Sequence, residues 1–167
     1  YGTGPMRLDK DALLAALVAQ VDAEAETMKR AALATREAAT HEEAKPENDK
    51  DTRSVEAAYL AGAQAERARE LESAAVALRA MRPRAFQDED PVALGAVVHL
   101  AGEDESELVC FLASVGGGLK ARVAGREVIV VTPRSPMGYA LVGQRSGDVV
   151  EVERGGRPRE YTVTRVE

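Results

Sequence analysis

The densest group of side chains that could do chemistry lies between residues 42 and 51. Five carboxylates and two lysines give this stretch a net charge of −3; they are Glu42, Glu43, Lys45, Glu47, Asp49, Lys50 and Asp51. Carboxylate oxygens are ligands for hard divalent cations. The plainer interpretation is a solvated, charged turn in which Asp51 or Thr52 caps the following helix. Both interpretations need structured segments on either side that hold the turn in place.

Other reactive residue types form no comparable group. Cys110 is the only cysteine in the sequence, which excludes an intrachain disulfide, and its apolar surroundings predict a buried, inert thiol. His41 and His99 are far apart in the sequence, and neither has a second ligand at metal-binding spacing. Three glycines at 116–118 lack the Lys-Ser/Thr of a phosphate-binding loop and predict a hairpin instead.

Composition limits the class of protein further. The chain has 167 residues, a net charge of −6 and 45% hydrophobic residues. This is enough for a buried core but lacks the basic excess of a nucleic-acid-binding protein. Because the sequence shows no disulfide framework, no apolar run of membrane-spanning length and no cleavable signal, a cytoplasmic location is expected. Aromatic residues are scarce, at 4%, and residues 7–82 contain only Tyr59.

Two segments beside the acidic stretch have the four-three apolar spacing of coiled coils. In the first, residues 8–40, the spaced positions are Leu14, Val18, Val21, Ala25, Met28, Ala32, Thr35 and Ala39. In the second, residues 52–81, they are Ala57, Ala61, Gln64, Ala68, Leu71, Ala75 and Leu78. Pro83 ends the second helix. The spacing predicts an antiparallel coiled-coil hairpin over residues 7–82, and a bundle formed by oligomerisation is the alternative.

After a predicted linker at 83–91, the pattern over residues 92–167 favours a small, largely antiparallel sheet. Five valine-rich runs separated by glycine turns are the predicted strands, at 92–100, 107–115, 127–132, 148–153 and 160–166. Between the third and fourth runs, Ser135 as N-cap, Pro136 at the first helical position and Gly143 at the end predict one short helix. The fold class is therefore α+β.

The segment at 135–150 reads Ser-Pro-Met-Gly-Tyr-Ala-Leu-Val-Gly-Gln-Arg-Ser-Gly-Asp-Val-Val and resembles the C-terminal domain of the Gre transcript-cleavage factors. That family has Ser-Pro-apolar-Gly, Ala-Leu-apolar-Gly and Gly-Asp at this spacing. The order of parts also agrees, since the family has a coiled-coil hairpin followed by a compact, FKBP-like β domain. The resemblance implies a factor that binds bacterial RNA polymerase. Its β domain would dock at the rim of the secondary channel, and its hairpin would reach through that channel toward the active site.

The resemblance also implies a role for the tip of the hairpin. In the family, an Asp and a Glu there help to hold a second Mg²⁺ for cleavage of backtracked RNA, in a two-metal site that the polymerase largely supplies. The family tip reads Asp-Leu-Ser-Glu-Asn; here Glu47 and Asn48 are kept, but Ala44 stands at the Asp position. Glu47, Asp49 and Asp51 are the candidate catalytic carboxylates, and Asp49 and Asp51 are the candidate ligands of a Mg²⁺ shared with polymerase.

Three functions remain open at this point: a polymerase-binding regulator that stimulates RNA cleavage, a secondary-channel factor that inhibits or modulates synthesis without cleavage, and a structural coiled-coil adaptor. Polymerase binding is expected at Ser135, Pro136, Met137 and Gly138, where helix-start N–H groups and a methionine could form a small patch. The alternative is that this motif only turns the chain. We expect a monomer with no catalytic activity and no bound cofactor of its own. Prolyl isomerase activity is not expected, because the chain lacks an aromatic-lined pocket.

Overall fold

The computed structural model describes residues 6–43 and 50–167, with side chains described at 6–41 and 52–167. Its elements are α1 (Lys10–Glu43), α2 (Lys50–Ala80), β1 (Val97–Gly102), β2 (Glu107–Leu112), β3 (Lys120–Val123), β4 (Arg126–Val131), α3 (Pro136–Leu141), β5 (Val149–Arg154) and β6 (Arg157–Val166). They divide into two compact units. The helical unit is Val18–Val76, and the sheet unit combines Tyr1–Leu17 with Ala77–Glu167.

In the helical unit, α1 and α2 pack along the predicted seam. The fully buried seam residues of this unit are Val21, Ala25, Ala32, Ala39, Ala61, Ala68, Leu71 and Ala75. Lys29 of α1 forms an ion pair with Glu72 of α2, and Thr35 contacts Gln64. Because later residues of α1 face earlier residues of α2, the two helices run antiparallel, which confirms the predicted hairpin. No helix in the described part of the chain is long and apolar enough to cross a membrane.

Two polar residues of the predicted seam, Thr35 and Gln64, lie against each other. The Thr35 hydroxyl is 2.9 Å from Oε1 of Gln64 and 2.8 Å from the carbonyl oxygen of Ala31. A polar residue in a coiled-coil seam favours the one register in which it finds a partner. The Thr35–Gln64 contact therefore specifies how α1 and α2 align, in a seam whose alanines would fit several alignments.

The sheet unit contains one six-stranded sheet in the order β3-β4-β2-β1-β6-β5. The predicted strands are present, and the sheet is largely antiparallel as predicted: of the strand pairs in the described sheet, four are antiparallel and one, β2 with β4, is parallel. A sixth strand, β3, was not predicted; its sequence, Lys-Ala-Arg-Val, has little β propensity, and it is held by pairing with β4. The chain passes from β2 to the outer strand β3 and then turns back, so that β4 enters beside β2.

The first strand also begins later than predicted, at Val97 rather than at residue 92. Gly95 has a φ of +89°, which breaks the extended backbone ahead of the strand. The N–H of Gly95 still donates to the carbonyl of Leu112, so this segment stays attached to the sheet. Val92 bonds to the chain after α3, since its N–H donates to the carbonyl of Gln144.

One face of the sheet carries a core cluster that includes Val98, Leu112, Leu141 and Val163. Phe86, which lies in the predicted linker, is 1% exposed and belongs to the same cluster. The segment before the sheet is therefore packed into the core rather than acting as a free connection.

A buried carboxylate joins three segments of the sheet unit. Glu167 accepts hydrogen bonds from the backbone N–H of Leu8 at 3.1 Å and from Arg165 at 2.8 Å, and its Oε1 is 2.6 Å from Nε2 of His99. Its side chain is only 3% exposed. Burial of a charge costs free energy unless it is well paired, so this set of contacts holds the entry to α1 beside β1 and β6.

Lys10, in the first turn of α1, also helps to hold the start of α1 to the rest of the sheet unit. Its ammonium donates to the carbonyls of Arg84 and Gly95 at 2.8 and 2.7 Å and lies 4.8 Å from the centre of the Phe86 ring. Burial lowers the pKa of Lys10 to about 8, while the charge of Glu167 opposes the shift.

Candidate functional site

The predicted tip lies between α1 and α2. Glu47 and Asp49 are outside the described residues, and Asp51 falls in the first turn of α2, with no side-chain position described. Among the residues that the structure describes, no group of three or more His, Cys, Asp or Glu side chains could hold a metal ion. The metal-binding role of Glu47, Asp49 and Asp51 therefore stays a prediction.

After the predicted tip, α2 presents apolar side chains to solvent. Val55 is 67% exposed and Tyr59 is 82% exposed, and their four-residue spacing places them on the same side of the helix. Large apolar residues at such exposure lie off the coiled-coil seam and contribute nothing to its core. The heptad pattern does not identify them, since it marks only the buried positions.

In the sheet unit, the Ser-Pro-Met-Gly motif forms the start of α3. Ser135 is the N-cap: its hydroxyl accepts a hydrogen bond from the N–H of Gly138 at 3.1 Å and donates to the carbonyl of Thr132 at 2.8 Å. Gly138 is buried, and a Cβ at this position would overlap the carbonyl oxygen of Thr132. Ser135 and Gly138 are therefore required by the local turn, whatever surface they also adjoin.

The other two motif residues differ in exposure. Met137 is half-buried and packs against the core cluster, whereas Pro136 is exposed. Tyr139, directly after the motif, is 80% exposed, and Val142 at the end of the helix is 44% exposed. At a spacing of three residues, Pro136, Tyr139 and Val142 form one exposed side of the helix, which we name the α3 patch. Sequence reasoning missed Tyr139 and Val142 because nothing in the local pattern separates them from core residues.

The Gly-Asp element after α3 also serves the turn. The carboxylate of Asp148 accepts a hydrogen bond from the N–H of Arg145 at 2.7 Å. Its backbone carbonyl accepts from Val163, and the N–H of Gly147 donates to the Val163 carbonyl in return. Gly147 has a φ of +95°, a conformation that favours glycine. This element attaches the chain after α3 to β6.

The remaining sites considered from the sequence carry no reactive arrangement. Cys110 is buried, as predicted, and burial raises the pKa of its thiol to about 11, which disfavours the reactive thiolate. A groove of about 550 Å³ on the sheet is lined by His99, Val109 and Ile129 among others, and that lining contains no Phe, Tyr or Trp. The groove therefore lacks the aromatic walls that a prolyl-isomerase site would need.

Comparison with known proteins identifies relatives of the sheet unit. Residues 87–167 match the family profile "Transcription elongation factor, GreA/GreB, C-term". Transcription elongation factor GreA of Phenylobacterium zucineum (strain HLK1) is 38% identical over 79 residues, which are 47% of this chain and 46% of that protein. The chain thus matches less than half the length of this curated relative.

Several solved structures are also similar to this chain. GreA factor homolog 1 (Gfh1) of Thermus thermophilus is 19% identical, with a TM-score of 0.40 and coverage of 92% of this chain and 94% of that one. A GreA/GreB elongation factor from Nitrosomonas europaea is 20% identical, with a TM-score of 0.36 and coverage of 57% and 77%.

Proposed function

Because this chain belongs to the GreA/GreB family through residues 87–167, we propose that it is a transcription elongation regulator that binds bacterial RNA polymerase. The observation that supports this most directly is the family match over the sheet unit, together with the antiparallel helical hairpin that precedes it. In the proposal, the sheet unit docks at the rim of the secondary channel as a monomer. The hairpin enters the channel, which is too narrow to admit a globular domain.

The proposed docking surface is the α3 patch. A tyrosine that is 80% exposed, flanked by an exposed proline and a partly exposed valine, matches the residue types that dominate protein interfaces. Ser135 and Gly138 support this surface from beneath, because their hydrogen bond and close packing hold the start of α3 in one conformation. In this arrangement, the predicted partner-binding motif acts mainly by positioning Pro136 and its neighbour Tyr139.

The tip of the hairpin could act on polymerase in one of two ways. In the first, carboxylates from Glu47, Asp49 and Asp51 would contribute oxygen ligands to a Mg²⁺ that the polymerase holds, which supplies Lewis-acid chemistry for RNA cleavage. In the second, the hairpin occupies the channel and slows synthesis without cleavage. The exposed Val55 and Tyr59 on α2 are compatible with either outcome, since both need a hairpin surface that contacts polymerase.

A transcription assay separates these outcomes. Purified chain is added, with Mg²⁺, to backtracked elongation complexes that carry labelled RNA. Cleavage predicts shortened RNA, and Asp49→Ala with Asp51→Ala should abolish the shortening while polymerase binding persists. Inhibition predicts uncut RNA and slower resumption of synthesis. Cleavage that survives both substitutions would exclude these carboxylates as the site, and a chain that neither binds polymerase nor changes either readout would refute the proposed function.

A further inference from the structure

The hairpin formed by β5 and β6 separates its charges by face. In an antiparallel pair, directly opposite residues point to the same side of the sheet. The register pairs Arg154 with Arg157 and Val152 with Arg159. Because side chains alternate along each strand, these three arginines lie on one face, which we name the arginine face. The opposite face of the hairpin carries Glu151, paired with Glu160.

The arginine face continues outward from the core. Val150 and Val152 lie on the same side as Arg154, and both valines are buried, whereas all three arginines are exposed. β5 is also the last strand at its edge of the sheet. The three arginines are therefore held on a backbone that is anchored by buried side chains, and their side chains are exposed to solvent.

The arginines have weak partners inside the sheet unit. Arg159 is 3.7 Å from Asp104 in a pair whose side chains are 53% and 62% exposed, and such a pair contributes little. Arg154 reaches the Tyr161 hydroxyl only at 3.5 Å. Within the described residues, no acidic side chain pairs with Arg157. Like charges directly opposite each other are destabilising, so the Arg154–Arg157 pair lowers the stability of the hairpin. An anion bound between the two guanidinium groups would remove this repulsion.

The surrounding charge decides which kind of anion fits. Nucleic-acid binding depends on a long-range positive field. Here Glu151 and Glu160 lie on the reverse of the same two strands, and the chain carries a net charge of −6. A few bidentate arginine–carboxylate pairs need only local geometry and not an extended positive field. The observations therefore favour a protein surface that presents carboxylates over a nucleic-acid strand.

We propose that the arginine face is a second docking surface, which binds an acidic patch on the protein partner, and this rests on the proposed function in naming RNA polymerase as that partner. The α3 patch would supply the apolar contact and the arginine face the charged contact. Charged contacts of this kind contribute to partner choice and to association rate.

The experiment measures the affinity of the full chain for bacterial core RNA polymerase at low and high salt. Arg154→Ser with Arg157→Ser should weaken binding about tenfold at 0.1 M salt, with a smaller difference at 0.5 M because salt screens charge. The matched control is Arg122→Ser, an exposed arginine on β3 at the other edge of the sheet; it should bind as the parent does. The double variant should also unfold at the same temperature as the parent or higher, because a like-charge pair is removed.

Three results would overturn this inference. If the parent binds and the double variant binds equally well, the arginine face is not a docking surface, and the proposed function stands. If the double variant binds equally well but self-associates, these charges serve only to prevent edge-to-edge pairing of β5. If the parent does not bind polymerase at all, the proposed function fails and this inference fails with it.

Discussion

The helical unit and the sheet unit are marked by different sequence patterns: an apolar repeat in the first and a short motif in the second. In the helical unit, the regular positions are buried in the seam, and the residues exposed beside them, such as Tyr59, lie outside the pattern. In the sheet unit, the distinctive motif residues are held in hydrogen bonds and tight packing, as Ser135, Gly138 and Asp148 are. The exposed Tyr139 is adjacent to the motif. In both units, therefore, most residues that a pattern identifies build the scaffold; the proposed partner surface in the sheet unit combines one motif residue, Pro136, with residues outside the motif.

The largest expected contrast between the two units comes from one substitution made in each. Gly138→Ala places a Cβ on the carbonyl oxygen of Thr132, so the start of α3 must shift; the loss should be about 3 kcal/mol or more of unfolding free energy. Gly62→Ala, in α2, meets nothing within 4 Å and should stabilise the chain by about 0.5–1 kcal/mol. Chemical denaturation of both variants measures the difference. Equal effects would show that Gly138 is not a tightly packed position.

The next effect concerns the buried carboxylate of the sheet unit. Glu167→Gln keeps the shape but removes the charge that faces His99 and Arg165, and it should cost about 3 kcal/mol of unfolding free energy. The matched control is Glu160→Gln on β6, the strand that Glu167 follows; Glu160 is exposed, and this change should alter stability by less than about 0.5 kcal/mol. Thermal and denaturant unfolding compare the two. A Glu167 variant as stable as the control would mean that this carboxylate does not hold α1 to the sheet.

The smallest effect is a dependence on pH at the same junction. The pKa of Lys10 is lowered to about 8 from its usual 10.5, so between these values the unfolded chain binds a proton that the folded chain has released. The Lys10 contribution to the unfolding free energy should therefore rise as pH increases from about 8 toward 10.5. Comparison of the parent with Lys10→Met across this range isolates the contribution. Parallel stability curves for the two proteins would contradict the lowered pKa.

The sequence predicted the helical unit almost completely, because a heptad seam needs only residues a few positions apart. Even the polar Thr35 and Gln64 fall at seam positions, although their contact appears only once the helices are aligned. In the sheet unit, strand existence followed from local runs of valine. Strand order did not, because the parallel pairing of β2 with β4 depends on where the intervening chain crosses.

Long-range contacts account for most of what sequence reasoning missed. Phe86 looks like part of a linker because its neighbours are polar, and only the packed sheet shows that it is buried. Glu167 is 68 residues away from His99, so no local pattern connects them. For the candidate site, the motif located α3 correctly, but the exposure of Tyr139 depends on which side of a two-turn helix faces the core.

In the proposed function, the sheet unit docks on RNA polymerase through the α3 patch, and the hairpin contributes to what happens after docking. The most direct test titrates core RNA polymerase against the labelled full chain and two variants that change an exposed tyrosine in each unit. Tyr139→Asp should weaken binding about 30-fold, or about 2 kcal/mol, and Tyr59→Asp should change it less than about threefold, with both variants folded as the parent. A parent that does not bind, or a Tyr139→Asp variant that binds as tightly as the parent, would contradict the account.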